Sequence, residues 1–571
     1  MQRSGQFVSI SQAQIYRAPG TMSVMNIYRF ARTICLCALV AGAISRANSA
    51  EKEKHAPVLI PGLGDTHHAV STKNRQAQQF FDQGLKLVFG FNHDEARRSF
   101  QRAAELDPKL AMAWWGVALT LGPNYNLPVD PAREKAGYEA VQRALALQEN
   151  ASEPEKGYIN ALAVRYSNDP KADLPALDVA YKEAMGKLAT RYPDDLDAAT
   201  LYAESAMNLH PWHLWMPDGK PAEGTEEIVS ILESVLKRNP DHLGANHYYI
   251  HAVEASLQPE RALASAQRLE KLAPAAGHLV HMPSHIYARV GDHFASAKRN
   301  ALAAAADEKY IKTTGLAPGV YSLMYYSHNL HFLAYASCMD GSLDEARKAA
   351  DRLVGNVRPH VKHMEALEGF LPTPMLVLVA FERWDDILRL PAPDASLGIT
   401  SAIWHFARGM AQAAKGSLAE AEREQNLFRD TAAKIPADAT YDMLNKTADV
   451  VKVPENLLAA AIAEAKKDSK TAIDALTKAV GAEDALNYSE PPSWFPTVRP
   501  ALGRVLLADR QLEEAEKIFR ADLNRSPRDG RALAGLRDTL KAEGRDYEAL
   551  QLDEQYRVAW KGAKAATGLS R

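Results

Sequence analysis

The sequence is poor in cysteine and has no excess of basic residues. Its three cysteines, Cys35, Cys37 and Cys338, are too few for a disulfide framework or a cysteine-rich zinc domain. Lysine and arginine together number 67, against 70 aspartates and glutamates, which gives a formal charge of -3. Because proteins that bind nucleic acid usually present a basic face, we expect no nucleic-acid partner.

Other absences narrow the class of protein further. Glycine (32) and proline (31) are too few for a fibrous or low-complexity chain. After the first fifty residues no apolar run is long enough to cross a membrane, so we expect no membrane span. The sequence contains no Gly-rich phosphate-binding loop, no Gly-x-Ser-x-Gly turn and no His-Glu-x-x-His helix. The common motifs of nucleotide-binding proteins, serine hydrolases and zinc proteases are therefore missing.

The first fifty residues have the features of a signal peptide. Arg29 and Arg32 precede an apolar run at 33–44, and small residues at 47–50 offer a cleavage site. The alternative is an amphipathic N-terminal helix. We expect residues 1–50 to be removed on export, whether translation starts at Met1 or Met25, and the mature protein to be periplasmic or secreted. A polar leader, 51–76, follows.

The rest of the sequence contains internal repeats. The first unit starts at Ala77 and carries Phe80, Gly84, Ala96, Phe100, Ala103 and Pro108. Comparable sets recur in units that start at Leu243, Gly277, Ser327, Ala402 and Pro496. This spacing resembles that of the tetratricopeptide repeat (TPR) superfamily, here in an exported bacterial type with His-rich central repeats.

The resemblance implies an all-α, tetratricopeptide-like solenoid of antiparallel helix pairs with loop insertions. Shifts in the repeat frame place insertions at 123–131, 210–221 and 311–326. We predict a main array at 77–435, a connecting helical and loop region at 436–495, and a C-terminal TPR pair at 496–571. The alternative is an irregular helical protein that shares only the amphipathic periodicity.

The 18 histidines are unevenly distributed, and seven of them fall at equivalent positions in the first helices of three of these units. In the TPR family the first helix of each unit lines the concave groove, mainly through its positions 2, 5, 9 and 12. The residues at such positions are His247, His251 and Glu254 in the unit from Leu243, His278, His281 and His285 in the unit from Gly277, and His328 and His331 in the unit from Ser327. Glu204 takes a groove position if a further unit starts near Leu196.

Histidines at i and i+4 of a helix lie on one face, close enough for both rings to bind one metal ion. Packed helices are about 8–10 Å apart, so rings on neighbouring helices can share one site or form two adjacent sites. Imidazole suits copper, zinc, iron and nickel, and we favour copper over iron or zinc. The histidine pairs invite a geometric comparison with coupled binuclear copper proteins, whose fold is different.

These patterns predict a TPR-fold metalloprotein with a His-rich transition-metal site in its concave groove. The predicted function is a copper or non-haem iron redox enzyme that acts on a small-molecule substrate. Two alternatives remain: a scaffold that binds a peptide or protein in the groove without catalysis, and a protein for metal storage or delivery. A third alternative is that the histidines have only structural roles.

Overall fold

Apolar residues recur at helical spacing along the chain, and the computed structural model, which describes residues 57–561, folds these segments into α-helices. Most helices pack against the next one in sequence across a short turn, which makes the pairs antiparallel. The first thirteen are α1 (Arg75–Phe89), α2 (His93–Leu106), α3 (Ala111–Leu121), α4 (Pro131–Leu147), α5 (Glu153–Ala163), α6 (Leu174–Arg191), α7 (Leu196–Met207), α8 (Thr225–Arg238), α9 (Leu243–Val253), α10 (Leu263–Leu272), α11 (Gly277–His281), α12 (Pro283–Arg289) and α13 (His293–Thr314).

The second half of the array continues in the same way. Its helices are α14 (Tyr326–Met339), α15 (Leu343–Val357), α16 (Thr373–Ala380), α17 (Trp384–Arg389), α18 (Gly398–Ala414), α19 (Leu418–Ala432), α20 (Thr447–Val450), α21 (Lys452–Ala465), α22 (Ser469–Asp484), α23 (Arg499–Ala508), α24 (Leu512–Arg525), α25 (Gly530–Ala542) and α26 (Asp546–Ala559). Between residues 57 and 561 no strand forms, and no helix has both the length and the apolar character that a membrane span needs. The fold is an all-α, TPR-like solenoid, as predicted.

Small residues bring the helices of each pair into contact. In α2 the predicted repeat positions Ala96, Phe100 and Ala103 are fully buried. A Cβ atom added at Gly84 would lie 2.6 Å from the Phe100 ring, and one at Gly116 of α3 would lie 2.4 Å from it. Phe100 therefore fills a space that exists only because both neighbouring helices carry glycine at the crossing.

The predicted insertions are longer connections between helices. Residues 122–130 link α3 to α4, and residues 208–224 link α7 to α8. The third insertion is shorter than expected, since α13 continues to Thr314 and Tyr321–Tyr325 form a π-helical turn before α14. The region 436–495, predicted as a helical and loop connection, holds α20, α21 and α22. The predicted signal peptide, residues 1–50, lies outside the described residues.

The part of the leader that the structure describes is fixed to α1. The Gln83 side chain accepts from the Ile60 amide (2.7 Å) and donates to the Val58 carbonyl (2.9 Å), while Leu63 is buried. This segment therefore packs on the array, although its composition alone is typical of a polar linker.

Within 57–561 the buried apolar residues form two large clusters and one small one. The first large cluster extends from Leu63 to Tyr287, and the second from Ala288 to Trp560. The histidine-rich helices α9, α11, α12 and α14 lie where these two clusters meet. The candidate site is thus held between the two halves of the array.

We expect Gly84→Ala to lower the free energy of unfolding by about 1–3 kcal/mol, because the added methyl group overlaps the Phe100 ring. The measurement is urea denaturation followed by circular dichroism. The matched control is Gly481→Ala in α22, where a Cβ meets nothing within 4 Å. There alanine should be neutral or stabilise by up to about 1 kcal/mol. Equal effects at the two positions would contradict this account of the packing.

Candidate metal centre

Six of the seven predicted histidines converge in two groups of three. Within each group one potential ligand atom from every residue lies within 4.8 Å of the others. Trio A consists of His247 and His251 on α9 and His278 on α11, and trio B consists of His281 on α11, His285 on α12 and His328 on α14.

Helical spacing explains which rings share a trio. His247 and His251 are an i, i+4 pair on α9, and both contribute to trio A. His281 and His285 have the same spacing and both contribute to trio B, although Pro283, which has no amide hydrogen to donate, interrupts the helix between them. His278 precedes His281 by three residues, and their ring centroids are 5.7 Å apart. The segment 277–289 therefore supplies ligands to both trios and sets them side by side.

In trio A the proton positions of two rings follow from their neighbours. His247 Nδ1 lies 2.6 Å from the Phe89 carbonyl oxygen, which can only accept, so His247 carries its proton on Nδ1. His251 Nδ1 donates to Glu254 Oε1 (2.8 Å), and His251 Nε2 is buried with no hydrogen-bond partner among the described residues. His247 Nε2 is 3.2 Å from His278 Nε2. In both α9 histidines the unprotonated Nε2 therefore faces the interior of trio A.

Trio B is oriented by the same kind of contact. His281 Nδ1 donates to Asn300 Oδ1 (2.6 Å), and the Asn300 amide is fixed because its Nδ2 donates to the Ser296 carbonyl (3.0 Å). His285 Nδ1 donates to Glu254 Oε2. When both rings are neutral, the Nε2 atoms of His281 and His285 therefore both lack a proton, although they are only 2.7 Å apart.

Two buried lone pairs at this distance repel each other unless a cation lies between them. A proton on His285 Nε2 would remove this repulsion, because His285 could then donate a hydrogen bond to His281 Nε2. However, His328 Nε2 also lies 3.0 Å from His281 Nε2. The single ring-plane lone pair of His281 Nε2 cannot accept well from both neighbours. A metal ion accepts one lone pair from each ring, and metal–nitrogen bonds of about 2.0–2.1 Å in tetrahedral geometry place ligand nitrogens about 3.3 Å apart. The donor positions in trio B are close to this arrangement.

Burial keeps most of these rings neutral. The pKa values of His247, His278, His281 and His328 are well below the ordinary value, first because of burial and second because of neighbouring histidines. Burial also lowers the pKa of His285, but the Glu254 carboxylate outweighs this effect and raises it overall. Burial alone would raise the pKa of Glu254, yet His285 and His251 bring it down to about 2. Neutral imidazole is the form that binds metal.

Aromatic side chains enclose the two trios. Phe91, in the turn between α1 and α2, has its ring centroid 4.5 Å from that of His247, and it adopts a left-handed backbone conformation (φ 55°) that is costly for a bulky residue. Two insertions contribute Tyr125 and Trp212, whose ring centroids lie 5.1 and 5.9 Å from that of His251. Phe332 covers trio B, 5.4 Å from His281.

The trios are consequently enclosed and do not line an open groove. The exposed fractions of His247 and His281 are 0%, and that of His251 is 1%. His328, on the side of the centre formed by α14, is half-buried.

Three predicted ligands have other surroundings. His331 points away from trio B and packs on Phe370 and Phe495, with ring centroids 5.4 and 6.0 Å away, and burial lowers its pKa to about 4. Glu204 accepts a hydrogen bond from Asn208 Nδ2 (2.6 Å), and burial raises its pKa to about 7. Glu254 contacts the Nδ1 side of two rings, so it orients these histidines from outside the trios.

The sequence analysis missed Asn300 and the Phe89 carbonyl. Asn300 lies on α13, nineteen residues after His281, and Phe89 lies 158 residues before His247. A backbone carbonyl carries no side-chain signal, and an asparagine inside a helix is common, so no sequence pattern marks either residue as an acceptor for these rings.

A third set of potential ligands, His68, Asp195 and Asp197, lies near the leader. Its atoms are already paired within the protein. Asp197 contacts His68 Nδ1 (2.7 Å) and His242 Nε2 (3.2 Å), and Asp195 accepts from the Tyr158 hydroxyl (2.9 Å). This network fixes the leader to α7.

Several solved structures align with most of the chain. They include human IFIT1 as a dimer with PPP-AAAA (15% identity, TM-score 0.30, 85% of this chain and 91% of that chain) and yeast Tom70 (12%, 0.30, 86% and 97%). The TPR domain of P58(IPK) aligns with 11% identity and a TM-score of 0.22, over 84% of this chain and 98% of that chain. At TM-scores this low, the alignments carry no argument about fold or function. The chain matches no protein-family model and no curated protein.

The donor set fits a transition metal. Each trio offers three imidazoles and no carboxylate, which suits copper or zinc and leaves a fourth coordination position for a water or substrate. The acceptors behind the rings are of the kind that orient metal-binding histidines in other proteins.

We expect zinc, which is redox-silent, to stabilise the protein, because binding to native trios opposes unfolding. At a free zinc concentration of 100 times Kd the gain is about 2.7 kcal/mol. The measurement is thermal denaturation with chelator and with zinc. The variant Asn300→Leu should lose part of this shift, because His281 loses its orienting acceptor and metal affinity falls by about 10–100-fold. No shift in the unmodified protein would contradict the expectation.

Proposed function

We propose that this chain is an exported TPR-fold metalloprotein in which trio A and trio B each bind one transition-metal ion, with copper preferred over iron or zinc. We further propose that the pair acts as a redox centre. The observation that carries the proposal is the pair His281 Nε2 and His285 Nε2, held 2.7 Å apart while each ring donates from Nδ1 to an acceptor behind it.

The arrangement of the two trios favours a dinuclear centre. The His251 and His285 ring centroids are 5.6 Å apart, and those of His278 and His281 are 5.7 Å apart. Two copper ions at such neighbouring positions would supply paired one-electron steps and a place for dioxygen or another small ligand. The protein's own part is to fix six imidazoles, keep them neutral and limit the access of water.

The enclosure of the centre favours small substrates. Phe91, Trp212 and Phe332 cover the rings, and the half-buried side lies at His328. We propose that dioxygen and a small organic reductant reach the metals from there. A peptide lying along the solenoid would contact outer surfaces and would not reach the trios in this conformation.

Storage or delivery of metal is the second candidate, and the enclosure supports it as well. A delivery protein and an enzyme share the same two sites and differ in turnover. Oxygen uptake by the copper-loaded protein therefore separates the two functions.

We expect two equivalents of copper per chain by elemental analysis after reconstitution and dialysis. His247→Ala and His281→Ala should each remove about one equivalent, because each substitution leaves its trio with two nitrogens. Matched controls are His331→Ala and Glu204→Gln, which lie outside the trios and should retain both equivalents. Less than a tenth of an equivalent in the unmodified protein would rule out the metal proposal.

The same samples test the redox part of the proposal. With ascorbate as reductant, the copper-loaded protein should consume dioxygen in an oxygen-electrode assay at least tenfold faster than the His281→Ala variant. The zinc-loaded protein gives the background. Two tightly bound copper ions without oxygen uptake would favour storage or delivery.

A further inference from the structure

We infer that Glu254 joins trio A and trio B into one coupled dinuclear centre, because its two carboxylate oxygens orient one histidine of each trio. The inference rests on the proposed function. It assigns Glu254 the role of a positioning residue, although the repeat pattern placed it among the metal ligands.

The contacts of the carboxylate are divided equally between the trios. Oε1 accepts from Nδ1 of His251 in trio A (2.8 Å), and Oε2 accepts from Nδ1 of His285 in trio B. The exposed fraction of Glu254 is 1%, and within 57–561 its carboxylate accepts no other hydrogen bond. Both rings therefore direct Nε2 into their own trio while sharing one anion behind them.

The main chain around Glu254 is fixed by the same helix that carries His285. Glu254 directly follows α9, and Arg289 lies one turn after His285 on α12. Arg289 Nε donates to the Glu254 carbonyl (2.8 Å), and Arg289 Nη2 donates to the Ser256 carbonyl (3.1 Å). Segment 277–289 thus binds both the side chain and the backbone of Glu254, which sets the carboxylate between the two rings.

Replacing the Glu254 carboxylate by an amide changes how many hydrogen-bond acceptors the two rings have behind them. The carboxylate has two acceptor oxygens, whereas glutamine has one acceptor oxygen and one NH2 donor. In Glu254→Gln one ring keeps its acceptor, while the ring that faces the NH2 group must accept. That ring then carries its proton on Nε2 and is lost as a ligand. The variant also removes the negative charge that offsets the repulsion between two nearby cations.

Zinc provides a test that does not depend on catalysis. By elemental analysis and calorimetry the unmodified protein should bind two equivalents. Glu254→Gln should bind one equivalent tightly, with the second weakened by about 10–100-fold or lost. The matched control is Glu490→Gln. Glu490 is also a buried carboxyl close to the centre, but it accepts its hydrogen bond from the Tyr488 hydroxyl and not from a histidine imidazole. The control should keep two equivalents.

Each outcome has a distinct meaning. No zinc on the unmodified protein overturns the proposed function. Two tight equivalents on both the unmodified protein and Glu254→Gln overturn the role of Glu254 alone. A folded Glu254→Gln that binds no zinc also overturns it, because one trio should survive the substitution.

A second measurement keeps the inference testable if Glu254→Gln does not fold. In the zinc-loaded unmodified protein, nitrogen NMR of 15N-labelled histidine should show His251 and His285 with the proton on Nδ1 and the metal on Nε2. The opposite arrangement in either ring would overturn the inference.

Discussion

The candidate centre depends on hydrogen bonds from ring Nδ1–H groups to acceptors behind the rings. A carbonyl, a shared carboxylate and a helical asparagine take the Nδ1 protons of four histidines. In a buried site these bonds decide which nitrogen of each ring is free, because an unpaired buried N–H group costs free energy. Once the four protons are placed, the remaining Nε2 lone pairs face one another within the two trios.

The position of the centre in the array explains how the helices that carry these rings are held in place. The two large apolar clusters meet at the histidine-rich helices, so packing on both sides fixes the helices that carry the rings. Phe91 and Trp212 adopt left-handed backbone conformations, with φ of 55° and 64°, and both pack on trio A. Such conformations are found where surrounding structure compensates for their cost, commonly near functional sites.

A helical-repeat scaffold suits this arrangement. Equivalent positions on successive helices face the same side of the solenoid, so histidines that are distant in sequence approach one another without a specialised fold. The insertions between helices then supply aromatic cover. The same features that let other solenoids present an open groove here produce an enclosed polar centre.

The resemblance to tetratricopeptide repeats predicted the fold class and the helix pairs. Helical spacing predicted the i, i+4 pairing of His247 with His251 and of His281 with His285, because that pairing depends on residues close in sequence. The small repeat positions, such as Gly84 and Ala96, were also readable from spacing. Only the tertiary structure decided that His278 joins trio A, that His331 turns toward Phe495 and that Glu254 lies behind two rings. Those outcomes depend on how the helices cross. They also depend on acceptors from distant segments, such as the Phe89 carbonyl, which no local sequence pattern indicates.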